Sequence, residues 1–161
     1  LNINKCYTNL TKRGYIMQIS SRFTLAIHIL VAADIFEDEY KVTSELMASS
    51  SNANSVTIRK IMKQLKEAGI INVKRGPGGI ELSRPKDQIT LLDIFNAVES
   101  LEDGKLFRFH ENPNKMCPVG RNIHASIDEM LDSIQNKMED ALRKYTLQDA
   151  IVNTRLAIEK E

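Results

Sequence analysis

Two groups of side chains in this sequence are of a type and spacing that could do chemistry on a partner. The first lies in residues 54–82. Arg59, Lys60 and Lys63 are cations at helical spacing, with Val56 on the same side. Ile58, Ile61, Met62 and Leu65 follow i, i+3, i+4, i+7 spacing on the opposite face. One face therefore packs while the other presents positive charge. Directly after it come Ile71 and Val73 alternating with Asn72 and Lys74, then Arg75, Gly76, Pro77, Gly78 and Gly79, then Ile80-Glu81-Leu82. That pattern predicts a short strand, a glycine-rich tip and a return strand. Gly69 occupies the helix C-terminal position, where a left-handed residue is needed. A basic helix followed by a small hairpin is the second half of a winged helix–turn–helix, and its chemistry is phosphate binding. The second group is a single thiol, Cys117, placed just before a predicted helix start with Arg121 four residues on; both favour the thiolate.

The distribution of charge supports the first group. The formal net charge of the 161 residues is only +1, but residues 54–86 carry eight basic and two acidic side chains. Residues 1–53 balance at five of each, and residues 87–161 hold nine basic and fourteen acidic. A solvated helix face is the plain alternative for such a block, and the adjoining glycine tip argues against it. The glycines themselves could serve only the turn, and Val56 could be merely exposed.

The elements that must position these groups read as follows. Residues 1–16 are polar and aperiodic, an upstream extension or cloning remnant, before a natural start at Met17. Ser20 or Ser21 caps a helix with a broad apolar surface of Phe23, Ala26, Ile27, Leu30, Val31 and Ala33. His28 within it reads as a packed or edge histidine. Thr43 caps a short helix with Glu45 in its first turn, and the polar run 49–54 is the turn before the basic helix. Thr90 and Asp93 form a capping box opening a further helix. Residues 102–120 read as a long loop, and a long helix begins at Arg121. Along it Ile127, Leu131, Ile134, Met138, Ala141 and Tyr145 fall at alternating four- and three-residue steps, a heptad seam that calls for a second helix. At about 25 residues it would run roughly 37 Å, and a homodimer is the economical way to cover it. Thr146 caps a last short helix that could fold back, with a frayed tail from Arg155.

The expected fold class is thus mainly α with a small β-wing: a winged helix–turn–helix domain at 17–100, a sensor-type loop at 101–121, and a dimerisation helix with a C-terminal helix at 122–161. No apolar run is long enough for a membrane helix. Cys6 and Cys117 are too far apart for a recognisable disulfide framework or zinc knuckle. No nucleotide-binding loop occurs, and no general base stands clearly beside Cys117, although His110 and His124 are near it in sequence. The chain reads as a cytosolic non-enzyme with no cofactor and no metal.

Several motifs together resemble the Rrf2 family of bacterial winged-helix transcriptional regulators. They are Met-Gln-Ile-Ser-Ser-Arg at 17–22, Thr-Ile-Arg-Lys-Ile-Met at 57–62, Val-Lys-Arg-Gly-Pro-Gly-Gly at 73–79, Thr-Leu-Leu-Asp-Ile at 90–94 and Thr-Leu-Gln-Asp-Ala at 146–150. The resemblance covers residues 17 to about 155. It departs from the family in two places. The wing is one residue short, with Ile80 where an aromatic is usual, and the loop offers only Cys117 where cluster-binding members carry three cysteines. The Cys-Pro-Val-Gly-Arg run resembles a cluster-lacking branch, which speaks against a conventionally ligated cluster. The resemblance implies double-stranded DNA as partner, with a near-palindromic operator read by a homodimeric repressor. Together with the helical geometry it places Val56 and Arg59 in the major groove, with Arg59 on guanine O6 and N7 and Val56 on a thymine methyl. Asn54, Ser55 and Thr57 at the helix start, with Lys60 and Lys63, would take phosphates. Ser20 and Arg22 resemble backbone contacts. Arg75 at the wing base, with Gly76, Pro77 and Gly78, would approach the minor groove. Cys117 becomes the candidate redox sensor. The competing function is a winged-helix module whose basic face meets an acidic protein.

Overall fold

The computed structural model describes residues 20–37, 39–74, 79–99, 101, 104–107 and 110–161. The predicted extension at 1–16 and the wing tip of Arg75, Gly76, Pro77 and Gly78 lie outside them. The elements in chain order are α1 (Ser21–Ile35), α2 (Ser44–Ser51), α3 (Ser55–Glu67), β1 (Ile71–Val73), β2 (Ile80–Leu82), a 3-10 turn (Lys86–Gln88), α4 (Leu91–Val98), α5 (Pro118–Lys144) and α6 (Leu147–Ile158). The fold is mainly helical, with one two-stranded antiparallel sheet.

α1 is the central helix. Ser20 caps it, its Oγ accepting from the Arg22 amide at 3.0 Å. Ala26, Ile29, Leu30, Val31, Ala32 and Ala33 are buried, which is why the helix is apolar nearly all round. It touches α2, α3, α4, α6 and β2. Phe23 meets Phe95 of α4 edge to face at 5.6 Å. His28 sits at the edge of this packing, its Nε2 3.0 Å from Ser50 Oγ.

The helix–turn–helix is tighter than the polar run suggests. Ser49, Ser50 and Ser51 remain in α2, and the turn is only Asn52, Ala53 and Asn54. Two local features cause this. Ser51 Oγ donates to the Met47 carbonyl at 2.5 Å, keeping the serine inside the helix. Asn52 then adopts a left-handed conformation (φ 50°), which asparagine tolerates, and its amide closes the last turn. Thr43 caps the other end through the Leu46 amide at 3.2 Å.

α3 buries Ile58, Ile61, Met62 and Leu65, each contributing about 1.5–3 kcal/mol. It ends in a Schellman motif: Gly69 has φ +67°, its amide donates to the Lys66 carbonyl at 3.0 Å, and Ile70 donates to Leu65 at 2.9 Å. β1 follows at once, pairing Ile71 with Leu82, Asn72 with Glu81 and Val73 with Ile80. The hairpin is held to the chain before α2 by the Ile80 amide donating to the Val42 carbonyl at 3.2 Å. Gly79 is required there: its φ is +72°, and a Cβ would stand 3.0 Å from Val42 N.

The C-terminal helix is part of the same core. Thr90 with Asp93, and Thr146 with Asp149, form capping boxes for α4 and α6. The two starts lie side by side in an antiparallel bridge, with the Leu91 amide donating to the Tyr145 carbonyl at 2.9 Å and the Leu147 amide to Ile89 at 2.8 Å. Leu147 and Ile151 are buried. Asp34 of α1 accepts from both Lys86 Nζ (2.6 Å) and Arg155 Nη2 (3.1 Å). The expected fraying at Arg155 is thus corrected: helix α6 continues to Ile158, because Arg155 has a carboxylate to hold.

α5 also starts earlier than expected, at Pro118 rather than Arg121, with Cys117 as its N-cap residue. Proline suits the first helical position, where its missing N–H has no partner to lose. The helix runs 27 residues and buries none of them within the subunit. The predicted seam divides. Ile127, Leu131 and Met138 are half-buried, whereas Ile134, Ala141 and Tyr145 are exposed. Tyr145 lies just past the helix end, in extended backbone, so it does not continue the heptad as a helical residue. Among the described residues no helix is long and apolar enough to cross a membrane.

Candidate nucleic-acid interface

The outward face of α3 carries the predicted reading side chains. Val56 is 52% exposed, an apolar side chain left in solvent on a helix whose other face is fully packed. Arg59, Lys60 and Lys63 are exposed, and Ser55 and Thr57 are half-buried. Asn54 caps the helix, its Oδ1 accepting from the Val56 amide at 2.8 Å, so that amide is already taken. Arg59 Nη2 donates to Ser55 Oγ at 3.3 Å and faces Glu45 Oε1 at 3.6 Å. Lys63 pairs with Glu67 one turn on, at 3.6 Å.

An open groove runs between the start of α2, the outer face of α3 and the hairpin. Arg59, Lys63, Lys66 and Lys74 line it, over an apolar floor that includes Met62 and Ile80. Lys66 and Lys74 were not singled out in the sequence. Lys66 could have been, since it stands one turn from Lys63 on the same face. Lys74 is placed by the strand register, which sets it beside Glu81 at 2.7 Å; that carboxylate raises the Lys74 pKa and keeps it charged. Glu45 is the one acidic lining group. Its carboxyl pKa is lowered, first by its own backbone amide at the α2 N-terminus, then by Ser44 and, after a small opposing desolvation, by Arg59 and Thr43.

Ser20 and Arg22 do not line this groove. Ser20 is spent on capping α1. Arg22 is half-buried and its Nη2 donates to Gln64 Oε1, so it braces the start of α1 against the rear of α3.

Cys117 lies exposed at the start of α5. Its thiol pKa is lowered by the first-turn amides of Gly120 and then Val119, against slight desolvation. The helix start, rather than the Arg121 guanidinium, provides the effect. The preceding turn is built on Asn114, whose Oδ1 accepts from Met116 N at 2.9 Å and whose carbonyl accepts from Cys117 N at 3.1 Å. Gly120 lets this turn close, since a Cβ would lie 2.5 Å from the Asn114 oxygen. The rings of His110 and His124 stack at 5.4 Å, and His124 Nδ1 is 3.3 Å from Asp128. Among the described residues no three His, Cys, Asp or Glu side chains gather as metal ligands. An iron–sulfur cluster would need several thiolates, and Cys117 is the only described cysteine, so the donor set does not fit one.

This arrangement matches known proteins. The Rrf2 family model, an iron-dependent transcriptional regulator, matches residues 19–153. YwnA of Bacillus subtilis, a candidate HTH-type transcriptional regulator, is 39% identical over 133 residues, 83% of this chain and 96% of YwnA. A crystal structure of a candidate DNA-binding protein has 33% identity and a TM-score of 0.67, covering 81% of this chain and 99% of that one. CymR of Bacillus subtilis, the global cysteine regulator, has the same fold with a TM-score of 0.62 at 20% identity, covering 84% of this chain and 97% of CymR. The chain therefore belongs to the Rrf2 family of winged-helix, DNA-binding transcriptional regulators.

Proposed function

We propose that this regulator acts in the cytoplasm as a homodimeric repressor on a near-palindromic operator, with α3 in the major groove. Val56 and Arg59 read base edges, Arg59 through guanine O6 and N7. Ser55, Thr57 and Asn54 at the helix start, with Lys60 and Lys63, take phosphates and set register. The wing tip of Arg75, Gly76, Pro77 and Gly78 approaches the minor groove, while Ser20 and Arg22 flank the backbone, Arg22 chiefly by keeping α3 in place. The observation that carries this reading is the two-sided character of α3. Its inner face is wholly buried while Val56 and three cations stand outward beside a groove with two more lysines. The exposed part of the α5 seam supports the dimer. Two subunits joined there present two recognition helices, which is what a two-fold operator requires.

Band-shift titration on a duplex selected by the protein and on its scrambled counterpart tests the assignment. Arg59→Ala weakens binding to the selected duplex by about 1–3 kcal/mol and leaves the scrambled one nearly unchanged. Lys63→Ala weakens both alike. Equal losses for the two variants on both duplexes would remove the assignment.

The regulator also responds to oxidants through Cys117. The thiolate attacks a peroxide oxygen, the O–O bond breaks, and hydroxide leaves with the electron pair, giving a sulfenic acid. If hydrogen peroxide leaves operator affinity unchanged while mass spectrometry finds Cys117 oxidised, this part of the reading goes.

A further inference from the structure

Glu45 is out of place in a phosphate-binding groove. The other charged lining groups are cations, and a fixed carboxylate among them opposes the binding of any duplex. It does not compensate through stability. Its contact with Arg59 is 3.6 Å long and both side chains are mostly exposed, a kind of pair that contributes little to folding. Its geometry is nonetheless specific. Glu45 Oε1 accepts from Ser44 Oγ at 3.0 Å, which fixes the carboxylate over the α2 N-terminus. The Arg59 Nη2 donates to Ser55 Oγ of its own helix at 3.3 Å and faces that carboxylate, which comes from α2, at ion-pair distance, 3.6 Å. A guanidinium has five N–H donors in a rigid fork, and both of its two-donor edges include Nη2; Ser55 takes one Nη2 hydrogen, so the edge formed by the second Nη2 hydrogen and its neighbouring N–H is left to meet a base.

We infer that Glu45 is a specificity-determining positioning residue: it clamps Arg59 in an orientation suited to a base edge and denies that guanidinium to passing phosphates. This rests on the reading of Arg59 as the base-contacting residue. An unclamped arginine on a long flexible stem would grip the backbone of any sequence. A clamped one gives up part of that general attraction and keeps the contact that discriminates. The gain is in the ratio of specific to non-specific binding, at some loss of total affinity.

The test uses the full chain, a duplex it selects from a random-sequence pool, and a scrambled duplex of equal length. Fluorescence anisotropy is read over a range of salt concentrations for wild type, Glu45→Gln, Arg59→Ala and the double variant. Glu45→Gln keeps the shape and hydrogen bonding of the side chain. It is expected to tighten binding to the scrambled duplex about two- to fivefold, the scale of an exposed charge pair. The salt slope on that duplex steepens by about one as Arg59 acquires a phosphate, and the specificity ratio falls by at least the same factor. In the Arg59→Ala background, Glu45→Gln leaves the ratio unchanged. A ratio that Glu45→Gln does not move, or that falls equally with Arg59 absent, overturns the inference. So does equal weakening on both duplexes with a lowered melting temperature, which would make Glu45 only a helix-end residue. A wild-type chain that binds both duplexes alike instead overturns the reading of Arg59 itself.

Discussion

Replacing Ile134 by alanine separates assembly from folding. Ile134 stands on the long helix α5 and is 52% exposed within one subunit. Fully burying an isoleucine side chain contributes about 1.5–3 kcal/mol, so the half still in solvent is worth roughly 0.8–1.5 kcal/mol if a second helix covers it. The proposed two-fold dimer would place two copies at the seam, giving about 1.6–3 kcal/mol for the variant dimer. That is roughly a 15- to 150-fold rise in the dimer dissociation constant. Sedimentation equilibrium over a range of concentrations measures it directly. Because Ile134 is exposed on the subunit and lies outside its buried core, thermal melting at concentrations where the protein is monomeric changes little. Leu131→Ala, by contrast, removes a half-buried side chain and lowers the melting temperature of the monomer as well. A wild-type dimer whose dissociation constant rises less than twofold in Ile134→Ala would refute the placement of this face at the seam. A wild-type chain that stays monomeric at every concentration would remove the dimer itself.

Two further variants probe the subunit. Asp34→Asn takes the charge from a carboxylate only 8% exposed that holds both Lys86 and Arg155; urea denaturation should show a loss of about 1–3 kcal/mol, and a loss below 0.3 kcal/mol would mean that the pairs are idle. For Cys117, the lowered folded-state pKa means that folding favours the thiolate: the stabilisation is present above the unfolded pKa and is lost as pH falls through the folded one. Iodoacetamide alkylation should therefore reach half its maximal rate below the ordinary thiol value of about 8.5, Gly120→Ala should move that midpoint upward, and a wild-type midpoint at or above the ordinary value would contradict the geometry.

What could be read from the residues beforehand was what neighbours in sequence decide. Thr43, Thr90 and Thr146 were legible as caps because a hydroxyl two or three residues before a free amide has one obvious use. The two faces of α3 and the left-handed Gly69 follow in the same way from spacing and from the absence of a Cβ. The errors came where one residue type serves two structures. Serines at 49–51 suit a turn or a helix end, and the Met47 carbonyl decided for the helix. Pro118 read as a loop residue although the first helical position accepts proline equally well. Contacts distant in sequence were not legible at all. Nothing near Arg155 signals Asp34, and nothing near Arg22 signals Gln64. The heptad spacing of α5 was visible, but not which of its residues the subunit itself half-covers. Glu45 was read as a favourable first-turn charge, which it is; its position opposite Arg59 depends on how α2 and α3 cross.

The geometry also constrains how a change at Cys117 could reach DNA. The far end of α5 is fixed: the Tyr145 carbonyl accepts from Leu91 and the Leu147 amide donates to Ile89, so α5 ends against the start of α4. Midway, Gln135 accepts from the Leu106 amide at 2.9 Å and donates to the Gly104 carbonyl at 2.8 Å, which holds the connecting loop to the helix. α4 in turn packs on α3. The recognition helix is thus seated in a core that includes α1, α4 and α6, with its buried face filled. Cys117 is at the opposite end of a helix about 40 Å long and is tied there by the Asn114 turn, not by that core. On the proposed reading, a polar or bulkier sulfur at that end, where the first-turn amides now favour a thiolate, would disturb the turn and the angle of α5. It has no direct path to the side chains of α3. In the proposed dimer, what an altered α5 would change is the surface that carries Ile134, and with it the placement of one subunit relative to the other. Each recognition helix would still match its half-site, and the spacing between the two would not, a loss that depends on the subunits acting as a pair.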